Sequence, residues 1–113
     1  MTRPTTDQLK AKKCKPCEGG AEPMTEEEAR DMLQMAPGWE LNGKAIEKEF
    51  KFKNFYETVA FVNAVAWIAN REDHHPDLQV SYNRCKVTYS THTIGGLSEN
   101  DFISAVKINA LIN

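Results

Sequence analysis

All three histidines of the chain, His74, His75 and His92, fall within one nineteen-residue stretch, and the other 94 residues contain none. Imidazole is the side chain best suited to giving or taking a proton near neutral pH, with a reference pKa of about 6.5. His74 and His75 lead into Pro76, and proline disfavours helix at the residue before it, so the pair reads as extended chain. Adjacent extended residues point to opposite sides, which gives the two histidines different parts to play. His92 ends an alternating run just before Gly95-Gly96. A hairpin in between would return His92 to the sheet edge that His74 leaves.

Three kinds of chemistry fit these residues. His-His-Pro could be a turn whose imidazoles are solvated or make structural hydrogen bonds. Three imidazoles plus water could form an open zinc centre. No helical i, i+4 histidine pair is present, however, and neighbouring histidines on extended chain seldom both face one ion. The third reading is a metal-free acid–base site, with Asp73, Asp77 and Asp101 available to orient imidazoles.

The elements that must position these residues follow from pattern. Thr25 with Glu28 is a capping box opening a helix that Pro37-Gly38 closes. Asn42-Gly43 is a hairpin turn between Trp39–Leu41 and the alternating run 46–52. Ile46, Phe50 and Phe52 share one face of that run, and Lys48 interrupts it as a rim residue would. Asn54, with Glu57 as capping-box partner, opens a long helix. Phe55, Val59, Val62, Ala66 and Ala69 form its expected core stripe, widened by Phe61, Val65, Trp67 and Ile68. Leu78, Val80 and Tyr82 alternate, Asn83-Arg84 turns, and Val87, Tyr89 and Thr91 alternate again as a second hairpin. Ser98 with Asp101 caps a last helix. The expected fold is α+β, a four-stranded antiparallel sheet with three helices on one face, in the order α-ββ-α-ββ-α.

Composition narrows the function classes. With 113 residues the chain is one domain. A net charge of −2 gives no global drive toward nucleic acid or an anionic membrane. No apolar run approaches the roughly 18 residues that span a bilayer, and the N-terminus lacks the apolar region of a secretory signal. Retention in the cytoplasm is the expectation. There is no phosphate-binding glycine loop, serine nucleophile elbow or dinucleotide fingerprint. Residues 1–23 are polar and hold five basic and three acidic groups. They read as a flexible arm, dispensable for folding, ahead of a single domain over 24–113. Cys14 and Cys17 within it have the spacing of half a zinc site or a redox pair. A lone C-x-x-C beside one further cysteine, Cys85, reads most simply as free thiols on that arm. Trp39 is expected to pack the first hairpin on a helix, and Cys85 to be a small strand residue.

His74-His75-Pro76, then Tyr82, Ser90-Thr91-His92, Gly96-Leu97-Ser98 and Asp101, at these spacings, resembles the signature of the pterin-4a-carbinolamine dehydratases. The run 50–55, Phe-Lys-Phe-Lys-Asn-Phe, fits as well. The resemblance covers about residues 25–112. It implies a hydro-lyase that removes water from 4a-hydroxytetrahydropterin to give quinonoid dihydropterin, recycling the cofactor of aromatic amino-acid hydroxylases. It implies no metal and no organic cofactor. It makes His74 and His92 the acids and His75 a substrate-holding residue, with Pro76, Thr91, Thr93 and Ile94 around the pterin and Asp101 orienting His92 or its loop. Asn70 stands where the family usually has an ionisable residue; an amide hydrogen-bonds but exchanges no proton near neutrality, which bears on rate or choice of pterin. Animal members also act as dimerisation cofactors of a transcription factor, so a protein-binding module is the alternative. A homodimer or homotetramer is expected, because Phe61, Val65, Ile68, Ile103, Ile108 and Ile112 exceed what one buried face of a two-layer domain holds.

Overall fold

A computed structural model describes residues 4–16 and 21–112; Cys17 lies outside them. Two hairpins build the sheet. β1 (Glu40–Asn42) and β2 (Ala45–Lys51) form the first, and β3 (Asp77–Val80) and β4 (Arg84–Tyr89) the second. They join through β2 and β4 to give the antiparallel order β1-β2-β4-β3. The first turn fits its sequence. Asn42 pairs with Ala45, and Gly43 takes the positive φ of 61° that a two-residue hairpin loop requires.

Register decides which face is wet. Ile46 stands opposite Tyr89, Lys48 opposite Val87 and Phe50 opposite Cys85, so these side chains share the inner face, where all but Lys48 are buried. Glu47, Glu49, Lys86 and Arg84 share the outer face, in loose ion pairs of 3.5 Å for Lys86–Glu47 and 3.7 Å for Arg84–Glu49. Lys48 sits at the rim as its place in the pattern requires. Its Nζ donates to Asn109 Oδ1 at 2.9 Å and lies 4.8 Å from the Phe50 ring centroid, and partial burial lowers its pKa. Trp39 is buried, edge-on to Phe50, and donates from Nε1 to Asn109 Oδ1 at 3.0 Å. It ties the first hairpin to the end of the last helix. Cys85 is a buried strand residue without a disulfide.

Three helices cover the inner face: α2 (Glu26–Met32), α3 (Phe55–Glu72) and α4 (Glu99–Asn109). The capping boxes at Thr25/Glu28 and Ser98/Asp101 are both formed. At α3, Asn54 accepts from the Glu57 N–H, but the Glu57 carboxylate reaches Lys53 N–H instead of closing a box. The core stripe of α3 is also one position off the expected one. Thr58, Phe61, Val65, Ile68 and Glu72 are buried, as is Ala69 of the expected stripe, whereas Phe55 is half exposed. Thr58 belongs to the stripe because its hydroxyl is satisfied by Asn54 and Tyr82 carbonyls, and Glu72 because it is paired. The surplus of apolar residues is covered within the chain as well. Phe61, Val65, Ile68, Ile103 and Ile108 are all buried in one protomer, and of that set Ile112 alone is exposed. The observation that suggested an oligomer therefore does not require one.

A fourth helix departs from the expected fold. α1 (Thr6–Ala11) lies in the segment read as an unpacked arm. Thr5 and Gln8 form its capping box, and Leu9 is completely buried as part of the main core. The chain beyond it is clamped. Cys14 N–H donates to Glu72 Oε1 at 2.8 Å, Lys15 N–H donates to Asn100 Oδ1 at 3.0 Å, and Asn100 Nδ2 donates back to the Lys15 carbonyl at 2.6 Å. Lys12 pairs with Glu99 at 3.0 Å. Average polarity concealed this docking, because a single leucine and backbone hydrogen bonds to distant side chains do the holding. Among the described residues no helix is long and apolar enough to cross a membrane.

Candidate active site

The site is assembled where α3 ends, β4 ends and α4 begins. α3 terminates at Asp73 in the left-handed region (φ 52°), a conformation Asp tolerates better than most residues. The His74 N–H then closes on the Ala69 carbonyl at 3.1 Å, the long-range bond of a Schellman-type cap. This turns the chain sharply and presents His74 toward the sheet. Its ring stacks on Tyr89 at 5.2 Å and 25° between planes. Burial raises the Tyr89 phenol above its ordinary pKa, so it remains a neutral surface beneath the imidazole.

Asp101 fixes the other side of that ring. Its carboxylate is fully buried and takes His74 Nε2 at 2.6 Å on Oδ1. Oδ2 accepts from the Thr91 hydroxyl at 2.9 Å and from the Ser98 N–H at 3.0 Å. A carboxylate that accepts the Nε2 hydrogen leaves Nδ1 as the remaining nitrogen for a ligand. Thr91 is held by a neck, since it exchanges backbone hydrogen bonds with Gly96 around the 3₁₀ turn His92–Ile94. A Cβ on Gly96 would stand 2.6 Å from Pro23 Cβ, so the neck requires glycine.

A cavity of about 450 Å³ opens on these groups, within the range typical of small-molecule sites. His74, Thr91 and Thr93 line it, together with Arg71, Glu72, Asp73 and Asn100, and so does the N-terminal segment through Lys13, Cys14, Lys15 and Pro16. His75 and His92 are exposed, Pro76 and Ile94 are partly buried, and none of these four is on the cavity wall. Asp101 orients His74 and the loop neck rather than His92. Of the other two aspartates weighed for this part, Asp73 ends α3 and Asp77 opens β3 opposite Thr88. Asn70 is exposed on α3, and Tyr82 lies at the tip of the second hairpin, its carbonyl taken by Thr58. A smaller cavity of about 210 Å³ between α2, the first hairpin and Gly95–Leu97 contains no titrating imidazole.

The contributions of Cys14, Lys15, Glu72 and Asn100 left no local sequence signal, because each depends on contacts between residues more than fifty positions apart. Burial pushes the Glu72 carboxyl up, but Lys107 at 2.7 Å and the Cys14 N–H outweigh it and leave the pKa lowered. Burial pushes the Cys14 thiol up to about 11, so this cysteine is an inert packing group rather than a nucleophile.

Comparison with known proteins agrees with the geometry. Residues 22–111 match the family model described as pterin 4 alpha carbinolamine dehydratase. A Nitrosospira multiformis protein, provisionally named pterin-4-alpha-carbinolamine dehydratase, is 60% identical over 107 residues, covering 95% of each chain. That span leaves at most six residues of this chain outside, so it takes in residues 13–16. A Dechloromonas aromatica protein with the same provisional name is 50% identical over 96% of each chain. Among solved structures, a transcriptional coactivator/pterin dehydratase from Brucella melitensis superposes with a TM-score of 0.77 at 37% identity, covering 81% of this chain and all of that one. A pterin dehydratase-like RuBisCO assembly factor of the alpha-carboxysome matches with a TM-score of 0.57 at 26% identity, over 66% of this chain and 88% of that one.

Proposed function

Because the chain belongs to the pterin 4 alpha carbinolamine dehydratase family, we propose that it dehydrates 4a-hydroxytetrahydropterin to quinonoid dihydropterin by histidine general acid catalysis. The observation that carries this reading is the imidazole of His74, stacked on Tyr89 and held at 2.6 Å by buried Asp101 on the wall of a pterin-sized cavity. In the reaction the C4a–O bond breaks. A proton goes to the departing oxygen, and one leaves the neighbouring ring nitrogen. Hydroxide is a poor leaving group, so the proton on oxygen dominates the barrier, and a positioned acid contributes about 10²–10⁴-fold. His74 protonates from one face of the ring and His92, exposed on the 3₁₀ turn beyond the Thr91–Gly96 neck, from the other. His75 holds the substrate, with Thr91, Thr93 and Ile94 along its polar edge. The work is done in the cytoplasm, in recycling of a tetrahydropterin cofactor.

No metal is assigned. His74 is on the cavity wall and His75 and His92 are not, so the three imidazoles do not share one wall of the site. The test is stopped-flow dehydration of freshly generated 4a-hydroxytetrahydropterin before and after exhaustive chelation. The expected result is acceleration of at least 10²-fold over the uncatalysed reaction, unchanged by the chelator. A folded chain giving no acceleration would leave the protein-binding reading in its place. Activity lost to chelation and restored by zinc would replace the acid mechanism with a metal one.

A further inference from the structure

The N-terminal segment lies outside the matched family model, yet it forms one wall of the candidate site. Its backbone is fastened from both sides, by Glu72 of α3 and by Asn100 of α4. Leu9 anchors it in the core a few residues earlier. Residues 13–16 are thus held against the cavity from two helices.

The charges on that wall are uneven. Lys13, Lys15 and Arg71 line the cavity, as do Glu72 and Asp73. Glu72 is already answered by Lys107, which is outside the cavity lining, and by the Cys14 N–H. Asp101, beneath the floor, is taken up by His74, Thr91 and Ser98. Among the described residues, three cations therefore line the cavity with one carboxylate that no partner answers, Asp73. The guanidinium of Arg71 lies 4.7 Å over the Trp67 ring, which lines a neighbouring groove, so Arg71 borders both that groove and this cavity while Lys13 and Lys15 belong to the cavity alone. A flat neutral pterin makes no use of such an excess.

We propose that Lys13 and Lys15, with Arg71, are specificity-determining residues that select a pterin whose side chain ends in an anion, a carboxylate or a phosphate. The assignment rests on the dehydratase reading above and adds the class of substrate to it. Arginine and lysine on a rim recognise either anion, and the attraction is screened by salt.

The experiment compares 4a-hydroxytetrahydropterins carrying a 6-methyl, a 6-carboxyalkyl or a 6-phosphooxymethyl group. The wild type should show the higher kcat/KM for at least one of the anionic pair, and the two arms identify which anion. In Lys13→Ala/Lys15→Ala the anionic-to-neutral ratio should fall roughly tenfold, the product of two exposed charge contacts. The fall should appear in KM, and high salt should mimic it. Lys51→Ala, on the outer sheet face, should leave the ratio as in the wild type. Equal kcat/KM for all three substrates, or an unchanged ratio in the double variant, would overturn the proposal. Binding of the oxidised pterins with the same side chains, read by fluorescence quenching, tests the wall without chemistry. An anion preference in binding without turnover supports the proposal and sinks the dehydratase reading alone; no preference in binding sinks the proposal whatever the turnover.

Discussion

The His74→Gln/His92→Gln double variant is expected to dehydrate 4a-hydroxytetrahydropterin little faster than buffer does. Each single variant should lose rate unequally on the two 4a-hydroxy stereoisomers, and in opposite senses, because each imidazole serves one face of the ring. The single losses should lie in the ~10²–10⁴-fold range of a positioned acid, on the stereoisomer that each serves. Glutamine at position 74 can still donate to Asp101, so the α4 cap survives and the protein should remain folded. His75→Gln should chiefly raise KM, since it removes binding common to ground and transition states. The measurement is single-turnover dehydration of each stereoisomer by the four variants, with circular dichroism as the folding control. A folded double variant with wild-type rates would make these histidines structural and remove the acids from the mechanism.

Removal of the N-terminal segment is expected to cost substantial stability. Leu9→Ala empties a fully buried site, and such truncations cost about 2–5 kcal/mol. For a domain of this size that lowers the thermal midpoint by roughly 10 °C. The loss has a ceiling, because a segment that undocks as a unit cannot cost more than its docking free energy. Deleting residues 1–16 reaches that ceiling and also opens the candidate site. A midpoint within a degree or two of wild type would show that α1 contributes nothing to the core. The clamp carries a pH signature too. The Glu72 pKa is lowered by folding, so its contribution is present above the unfolded carboxyl value of about 4.3 and is lost as pH falls through the depressed folded value. Glu72→Gln should flatten that acid limb of the stability profile.

Much of this architecture is written locally. Capping boxes at Thr25 and Ser98, the Asn42-Gly43 turn and the two-residue alternation around Lys48 are short-range rules, and the structure obeys them. The long helix shows where such rules stop. α3 is apolar on more than one side, so hydrophobicity alone does not choose between a stripe through Phe55 and Val59 and one through Phe61 and Val65. The choice is made by Thr58 and Glu72, polar residues whose burial depends on partners elsewhere in the chain. The site divides the same way. Clustering drew attention to the histidines, and Asp101 was visible as a cap and as a possible orienter. Its choice of His74 over His92 was not, because it follows from how the Asp73 turn and the start of α4 meet in space. The N-terminal wall was hidden most completely: one leucine among twenty-three mostly polar residues outweighs their average.

The same carboxylate, Asp101, closes the capping box of α4 and grips the His74 ring. The first turn of α4 therefore cannot fray without setting the imidazole loose, and the readiness of the acid is governed by a local opening equilibrium rather than by global unfolding. Linkage runs both ways: whatever engages His74 in the cavity must also hold that turn closed. Amide exchange at Ser98 and Asp101 is then a clock for the occupied site, read from the backbone at the start of α4.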